Sequence, residues 1–288
     1  MTIFDPWKGA LCTCPTKYQL SPYTGCSHSC LYCYITSYIP RPFLPRPKRD
    51  FLRRLRKDLE KMDNTKHVSI SNSSDPYTSP EEIMRITRNT LQLLLDSQVR
   101  IQLITKSNLV TRDIDLIRKG NCSVSISVTT LNDAVASILE PGAPSPKKRI
   151  DALNTLHDSG VPTSARIDPI IPGINDDGLE DLVETVCETG IKHLVASTCK
   201  IRADGFHRLI KAFPEQRDNL YRMYWVEGER QGNSRYLRRN LRAKILKNVE
   251  KIVKATGISF SVCREGLPEL NLCETCDGSH IIPIRKNT

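Results

Sequence analysis

Hydrophobic and polar positions along this chain switch repeatedly between two periods. His67-Val68-Ser69-Ile70-Ser71 alternates every second residue, as a half-buried strand does. Similar short runs lie near Tyr18 to Tyr23, Val99 to Thr105, Ser123 to Thr129, Val161 to Ile170 and Lys192 to Ser197. Between them the spacing is helical. Asp50 is placed to cap a basic helix from about Phe51 to Met62. Ser79 stands before Pro80 at a helix start, and that helix is expected to run to about Ser97. Ile114 to Lys119 reads as a short helix. Ser145 to Ser159 reads as a longer one ending at Gly160, and Gly178 to Thr189 as one closed by Gly190. Pro40 to Pro47 is a proline-rich connection. From about Phe206 the pattern changes. Tyr221, Tyr224 and Trp225 precede a basic helix expected over Ser234 to Ala255 and a short strand at Ile258 to Val262.

Strands alternating with helices at this spacing imply right-handed βαβ units and a parallel sheet. The period alone does not separate a barrel from a doubly wound sheet. In both, chemistry gathers at the C-terminal ends of the strands. The expected division is an N-terminal segment over 1–17, an α/β body over 18–205 and a cysteine-bearing extension over 206–288.

Composition narrows the class. A chain of 288 residues can bury one large core with a small appendage. Eleven cysteines without a secretory signal favour metal ligation in the cytosol over a disulfide scaffold. No stretch approaches the ~20 apolar residues of a membrane span. A net charge of +10 points to an acidic partner, nucleic acid or protein, or to nothing more than a solvated basic surface.

Cys26, Cys30 and Cys33 form a C-x3-C-x2-C loop at the end of the first expected strand. Three thiolates so close hold three irons of a cubane cluster and leave one iron open to a ligand, whereas four would close the site. A zinc knuckle needs a fourth ligand, and His28 lies inside the loop at a poor spacing for it. The loop resembles the signature of the radical S-adenosylmethionine (SAM) superfamily. That resemblance implies a [4Fe–4S] cluster whose free iron chelates SAM, a 5′-deoxyadenosyl radical, and a partial (β/α)6 barrel of the TIM type. From about Pro22 to Ile174 the chain further resembles the spore photoproduct lyase group. The motifs are Cys30-Leu31-Tyr32-Cys33-Tyr34, Ser73-Ser74-Asp75-Pro76, Thr105-Lys106, Glu140-Pro141, Ser145-Pro146 with Arg149, and Pro169-Ile170.

Residue by residue, the resemblance implies that Tyr32 lies along the adenine of SAM and that Ser74 and Lys106 contact SAM. Ser127 is a further contact, or Ser125 under a shifted alignment. Tyr34 matches a tyrosine of the lyases' hydrogen relay. Where the lyases carry a hydrogen-donating cysteine, this chain has Asn72. Repair by the lyase route is therefore not expected. Cys199, at the end of the sixth strand, is a second candidate catalytic residue.

Cys263-x9-Cys273-x2-Cys276 is a cluster-binding pattern, with Cys12 or Cys14 available as its fourth ligand. A structural zinc on the same residues is the alternative, with His280 as an outlying ligand. Cys122 and Cys187 read as buried core thiols. A second [4Fe–4S] cluster could donate sulfide, as in radical SAM sulfurtransferases. The chain is similar to the lyase-like partner of a two-protein lipoyl synthase. That similarity implies sulfur insertion into an acyl chain on an acidic carrier protein, with a second radical SAM protein and an electron donor such as ferredoxin or flavodoxin. The alternative is lyase-like or other radical modification of DNA or RNA. The basic run Arg41 to Lys57, and a stripe of Arg235, Arg238, Arg239, Arg242 and Lys247, suit either acidic partner.

Overall fold

The structure, a computed structural model, describes residues 1–4, 11–70, 73–273 and 275–284. Its centre is one eight-stranded sheet whose strands lie in chain order. These are β1 (Thr2–Ile3), β2 (Tyr18–Leu20), β3 (Val68–Ile70), β4 (Ile101–Thr105), β5 (Cys122–Ser127), β6 (Thr163–Ile170), β7 (His193–Thr198) and β8 (Ser259–Val262). β1 runs antiparallel to β2, and every later neighbour pair is parallel. The connecting helices are α1 (Phe51–Leu59), α2 (Ile86–Asp96), α3 (Ile114–Ile117), α4 (Pro146–Asp158), α5 (Leu179–Glu188), α6 (Ala203–Ala212) and α7 (Arg239–Thr256). The expected α/β partial barrel is present. Its parallel run has one strand more than the six expected, because β8, from the C-terminal extension, pairs with β7.

The two faces of the sheet differ sharply. Val68, Ile70, Ile101, Leu103, Val124, Ile126, Ala165, Ile167, Leu194, Ala196, Phe260 and Val262 pack with the helices in one apolar core. The alternate positions are polar: Ser69, Gln102, Ser123, Ser125, Ser164, Arg166, His193 and Ser261. Successive side chains of a strand point to opposite faces, so these line the concave side. Residues from the C-terminal end of the chain close its floor. Gln102 donates to the Asp277 carbonyl at 2.5 Å, Ser261 donates to the Cys276 carbonyl at 2.8 Å, and Lys17 pairs with Asp277 at 2.5 Å. Burial raises the Asp277 carboxyl, but Lys17 outweighs it and holds the group at about 2.

Four local expectations change. The first strand stops at Leu20, and Tyr23–Thr24 instead pairs with Arg46–Pro47 in a small antiparallel ladder. Asp50 precedes α1 in a left-handed conformation (φ 52°) with no side-chain cap; its carboxylate pairs with Arg53 at 3.2 Å. The helix from Ser79 is split. Glu81–Met84 ends at left-handed Arg85, and α2 begins after it. The basic helix starts at Arg239, because Ser234–Tyr236 pairs with Glu229–Gln231 as a hairpin. Cys122 and Cys187 are buried in the core as expected. Among the described residues, no helix is long and apolar enough to cross a membrane.

Candidate active site

The cysteine loop lies beyond the end of β2 and is pinned from three sides. The Cys26 amide donates to the Pro42 carbonyl at 2.8 Å, and the Leu31 amide donates to the Leu139 carbonyl at 2.9 Å. From α6, Arg208 donates to the Leu31 carbonyl (2.9 Å) and the Cys33 carbonyl (3.2 Å). Asp204, one helical turn earlier, receives the hydroxyls of Thr36 and Ser37. Gly142 approaches so closely that a Cβ there would stand 2.0 Å from the Ser27 carbonyl oxygen. Backbone cannot yield as a flexible side chain does. Gly142→Ala is therefore expected to yield a folded protein that loads much less iron at this loop, measured as iron per chain after anaerobic reconstitution.

Cys26 and Cys30 are buried and Cys33 is half-buried. Burial pushes the Cys26 thiol up to about 12 and raises Cys30 and Cys33 as well. Three adjacent thiolates, two of them buried and one half-buried, become favourable when a cation binds sulfur directly, so the donor set fits an iron cluster. His28 is not a fourth ligand. It is buried, and its Nδ1 lies 3.4 Å from the Asp75 carboxylate. Burial lowers its pKa.

Strand ends β3, β4 and β5 converge on this loop. Asp75 accepts from the Thr105 hydroxyl (2.7 Å), the Lys106 amide (2.8 Å) and the Tyr77 amide (2.9 Å). Glu140 is a second junction. It accepts from the Tyr32 hydroxyl, lies 3.3 Å from Lys106 Nζ, and pairs with Arg149 at 2.5 Å. Burial raises the Glu140 carboxyl, but Lys106 and Arg149 outweigh it and bring it to about 2. Lys106 Nζ also stands 5.8 Å from the centre of the Tyr32 ring. Ser127 ends β5, and its carbonyl accepts from Arg149 at 3.2 Å. The hydroxyls of Ser74, just past β3, and Ser125 are buried without a hydrogen-bond partner among the described residues. Tyr32, Ser74, Lys106 and Ser127 are thus on adjoining strand ends and loops beside the three thiols, and the orphaned Ser74 hydroxyl fits a polar ligand there. Asn72 lies outside the described residues.

The two candidate catalytic residues separate. Tyr34 follows the last cysteine of the loop and is 36% exposed, with its ring 6.1 Å from that of Tyr38. Cys199 is 2% exposed, in the apolar cluster of Ile171, Ile201 and Tyr224 on which Leu31 and Tyr32 pack. Burial holds its thiol up at about 12.

The remaining cysteines also divide. Cys14 Sγ lies 3.5 Å from Cys276 Sγ, and Cys12 contacts Cys14. The thiols of Cys12 and Cys276 donate to Cys14 and lower its pKa, an effect Lys17 reinforces. Cys263 acts electrostatically on Cys12, Cys14 and Cys276. Cys273 turns elsewhere, with its sulfur 3.9 Å from His193 Nδ1. Cys12, Cys14 and Cys276 thus adjoin one another, with Cys263 within electrostatic reach of them and Cys273 beside His193. Arg166 links this group to the mouth. It bonds Cys263 and pairs with Asp168 at 3.0 Å. Sequence reading missed Arg166 and Asp168. Their signal was two charges at i, i+2 in the middle of a buried strand.

The expected basic stripe is broken. Arg235 belongs to the hairpin and lies over Trp225. Arg242 is buried against Glu229 (3.0 Å), while Arg238 and Arg239 pair with Glu227 and Glu269.

A parallel partial barrel bearing a three-thiol loop at its C-terminal mouth defines an enzyme of the SAM-cleaving class. Residues 20–186 match the Radical SAM superfamily. The chain belongs to the radical SAM superfamily. It uses a [4Fe–4S] cluster and S-adenosylmethionine, which together supply a carbon radical able to abstract hydrogen. An uncharacterized protein of Methanocaldococcus jannaschii is 31% identical over 205 residues, 69% of this chain and 77% of that protein. The Radical SAM Nalpha-GlyT isomerase of Pseudomonas phage M6 is 24% identical over 258 residues, 85% of this chain and 53% of that protein. Spore photoproduct lyase complexed with dinucleoside spore photoproduct shares the fold with a TM-score of 0.67 at 17% identity, over 87% of this chain and 76% of that one.

Proposed function

We propose that this protein is a radical SAM enzyme that modifies a nucleoside unit of a nucleic acid. In this reading Cys26, Cys30 and Cys33 hold the cluster. Tyr32, Ser74, Lys106 and Ser127 orient SAM, with Lys106 as a point charge for its carboxylate. The observation that carries the substrate class is the rim of the mouth. Tyr34 and Tyr38, exposed by 36% and 45%, stand side by side immediately after the cysteine loop. Arg202 lies 5.8 Å from the centre of the Tyr38 ring. The segment that follows carries Arg41, Lys48, Arg49 and Arg53. Aromatic faces flanked by cations stack bases and track phosphates. The name of the dinucleoside complex is in keeping with this class.

Sulfur insertion of the lipoyl synthase type, on an acidic carrier and with a second radical SAM protein, is the second reading. The observation favouring it is the group Cys12, Cys14, Cys263 and Cys276, joined to the mouth through Arg166. In that reading the group holds a second [4Fe–4S] cluster that supplies sulfide.

One assay separates the two. Reconstituted protein with SAM and reductant is given single-stranded DNA, RNA or an octanoylated carrier peptide, and 5′-deoxyadenosine is measured. Nucleic acid is expected to stimulate it, with affinity falling steeply as salt rises. Tyr38→Ala should weaken binding roughly five- to 150-fold, matching ~1–3 kcal/mol of lost stacking. Stimulation by the carrier peptide alone, with a mass gain of sulfur, would transfer the assignment to the second reading.

A further inference from the structure

We propose that His193, Cys273 and His280 bind a zinc-class transition metal, at a site separate from both cysteine groups. One ligand atom from each lies within 4.8 Å of the other two. The Ser259 hydroxyl sits between the imidazoles, 2.9 Å from His193 Nδ1 and 3.0 Å from His280 Nε2. The rings meet edge to face, with centroids 4.9 Å apart at 88°.

The other nitrogen of each ring is held from outside. His193 Nε2 is 3.0 Å from the Ser261 hydroxyl, which itself donates to the Cys276 carbonyl, and His280 Nδ1 is 2.7 Å from the Thr275 hydroxyl. Outer partners of this kind fix the tautomer and plane of metal-binding histidines. The backbone adds an independent mark. A Cβ at Gly278, which has φ +79°, would stand 2.6 Å from His193 Cδ2, so only glycine lets the chain pass flat against this ring.

Two imidazoles and a thiolate suit a borderline-soft tetrahedral ion and discriminate against magnesium and calcium. Ser259 or water takes the fourth position. His193 and Ser259 begin β7 and β8, so the site lies at the opposite end of the sheet from the SAM loop. Its role is to fasten Cys273 and residues 275–280 to the barrel floor.

The test uses the full-length chain, first purified from zinc-supplemented, iron-limited cells and then freed of metal and titrated with cobalt(II). The expected result is about one zinc per chain and cobalt d–d bands of tetrahedral intensity with a sulfur-to-cobalt charge-transfer band. His280→Gln, at an exposed position, and Cys273→Ser should each remove the zinc and the tetrahedral cobalt spectrum. In reconstituted protein His280→Gln should leave iron content and 5′-deoxyadenosine formation unchanged, and both variants should melt at lower temperature. Absence of zinc and cobalt binding in the wild type, zinc retained by His280→Gln, or iron lost from Cys273→Ser would each overturn the assignment.

Discussion

Replacing Cys26, Cys30 and Cys33 together with alanine is expected to reduce 5′-deoxyadenosine formation to the level without enzyme. Among the described residues no neighbour can substitute for the lost thiolates. His28, the nearest alternative donor in the loop, is buried and engaged by Asp75, and Cys199 lies within the apolar cluster below. Reconstituted wild-type protein is expected to hold about eight irons per chain if both cysteine groups carry cubanes. The triple variant should retain about four, which a further exchange of Cys14 and Cys276 for alanine should remove. Mössbauer spectra and iron analysis read both changes. Surviving SAM cleavage in the triple variant would place the reactive cluster elsewhere.

Glu140→Ala is expected to be the most damaging single exchange for stability. Glu140 joins Tyr32, Lys106 and Arg149, and both it and Arg149 are 1% exposed. Removing one partner of a buried ion pair leaves the other charge uncompensated, at a cost of about 3–5 kcal/mol. Urea titration of the reconstituted protein measures this. Pairing the exchange with Arg149→Met should recover much of the loss, because the orphaned charge goes as well. The pH dependence has a definite sign. The Glu140 carboxyl is depressed to about 2 from its ordinary value of 4.5. Its contribution is therefore complete above the unfolded value and disappears as pH falls through about 2. Glu140→Ala should flatten this acid limb of the stability curve.

The strands were legible because alternation is local. Val68-Ser69-Ile70 and Cys122 to Ser127 show in the chain which residues face the helices and which face the lumen. What was lost depended on partners. Ser259–Val262 read correctly as a strand, but nothing in four residues states that β7 is its neighbour. Arg242 looked like one more cation on an exposed stripe, yet Glu229 and Glu265 draw it inside. Arg85 breaks a helix in a left-handed conformation that its side chain does not advertise. At the site, the spacing of Cys26, Cys30 and Cys33 was enough because one short loop carries all three. Cys273 and Cys276 are equally close in sequence but face opposite ways: one meets His193 and the other Cys14. Spacing limits how far apart two thiols can be; the fold decides where they point.

The floor of the barrel has a consequence for motion. Each parallel strand pairs with the one before it, so the sheet grows by successive additions along the chain. The Lys17–Asp277 pair joins positions 260 apart. Closing so long a loop costs entropy that rises only with the logarithm of its length, and the contacts of protein alone that close it are one ion pair and a few hydrogen bonds around it. In protein stripped of zinc and of the second cluster, residues 275–283 can therefore swing away without unstitching any strand of the sheet. Hydrogen exchange of that metal-free protein should show this segment opening well before β4 to β7, giving the lumen a second, transient entrance at the end remote from the SAM loop.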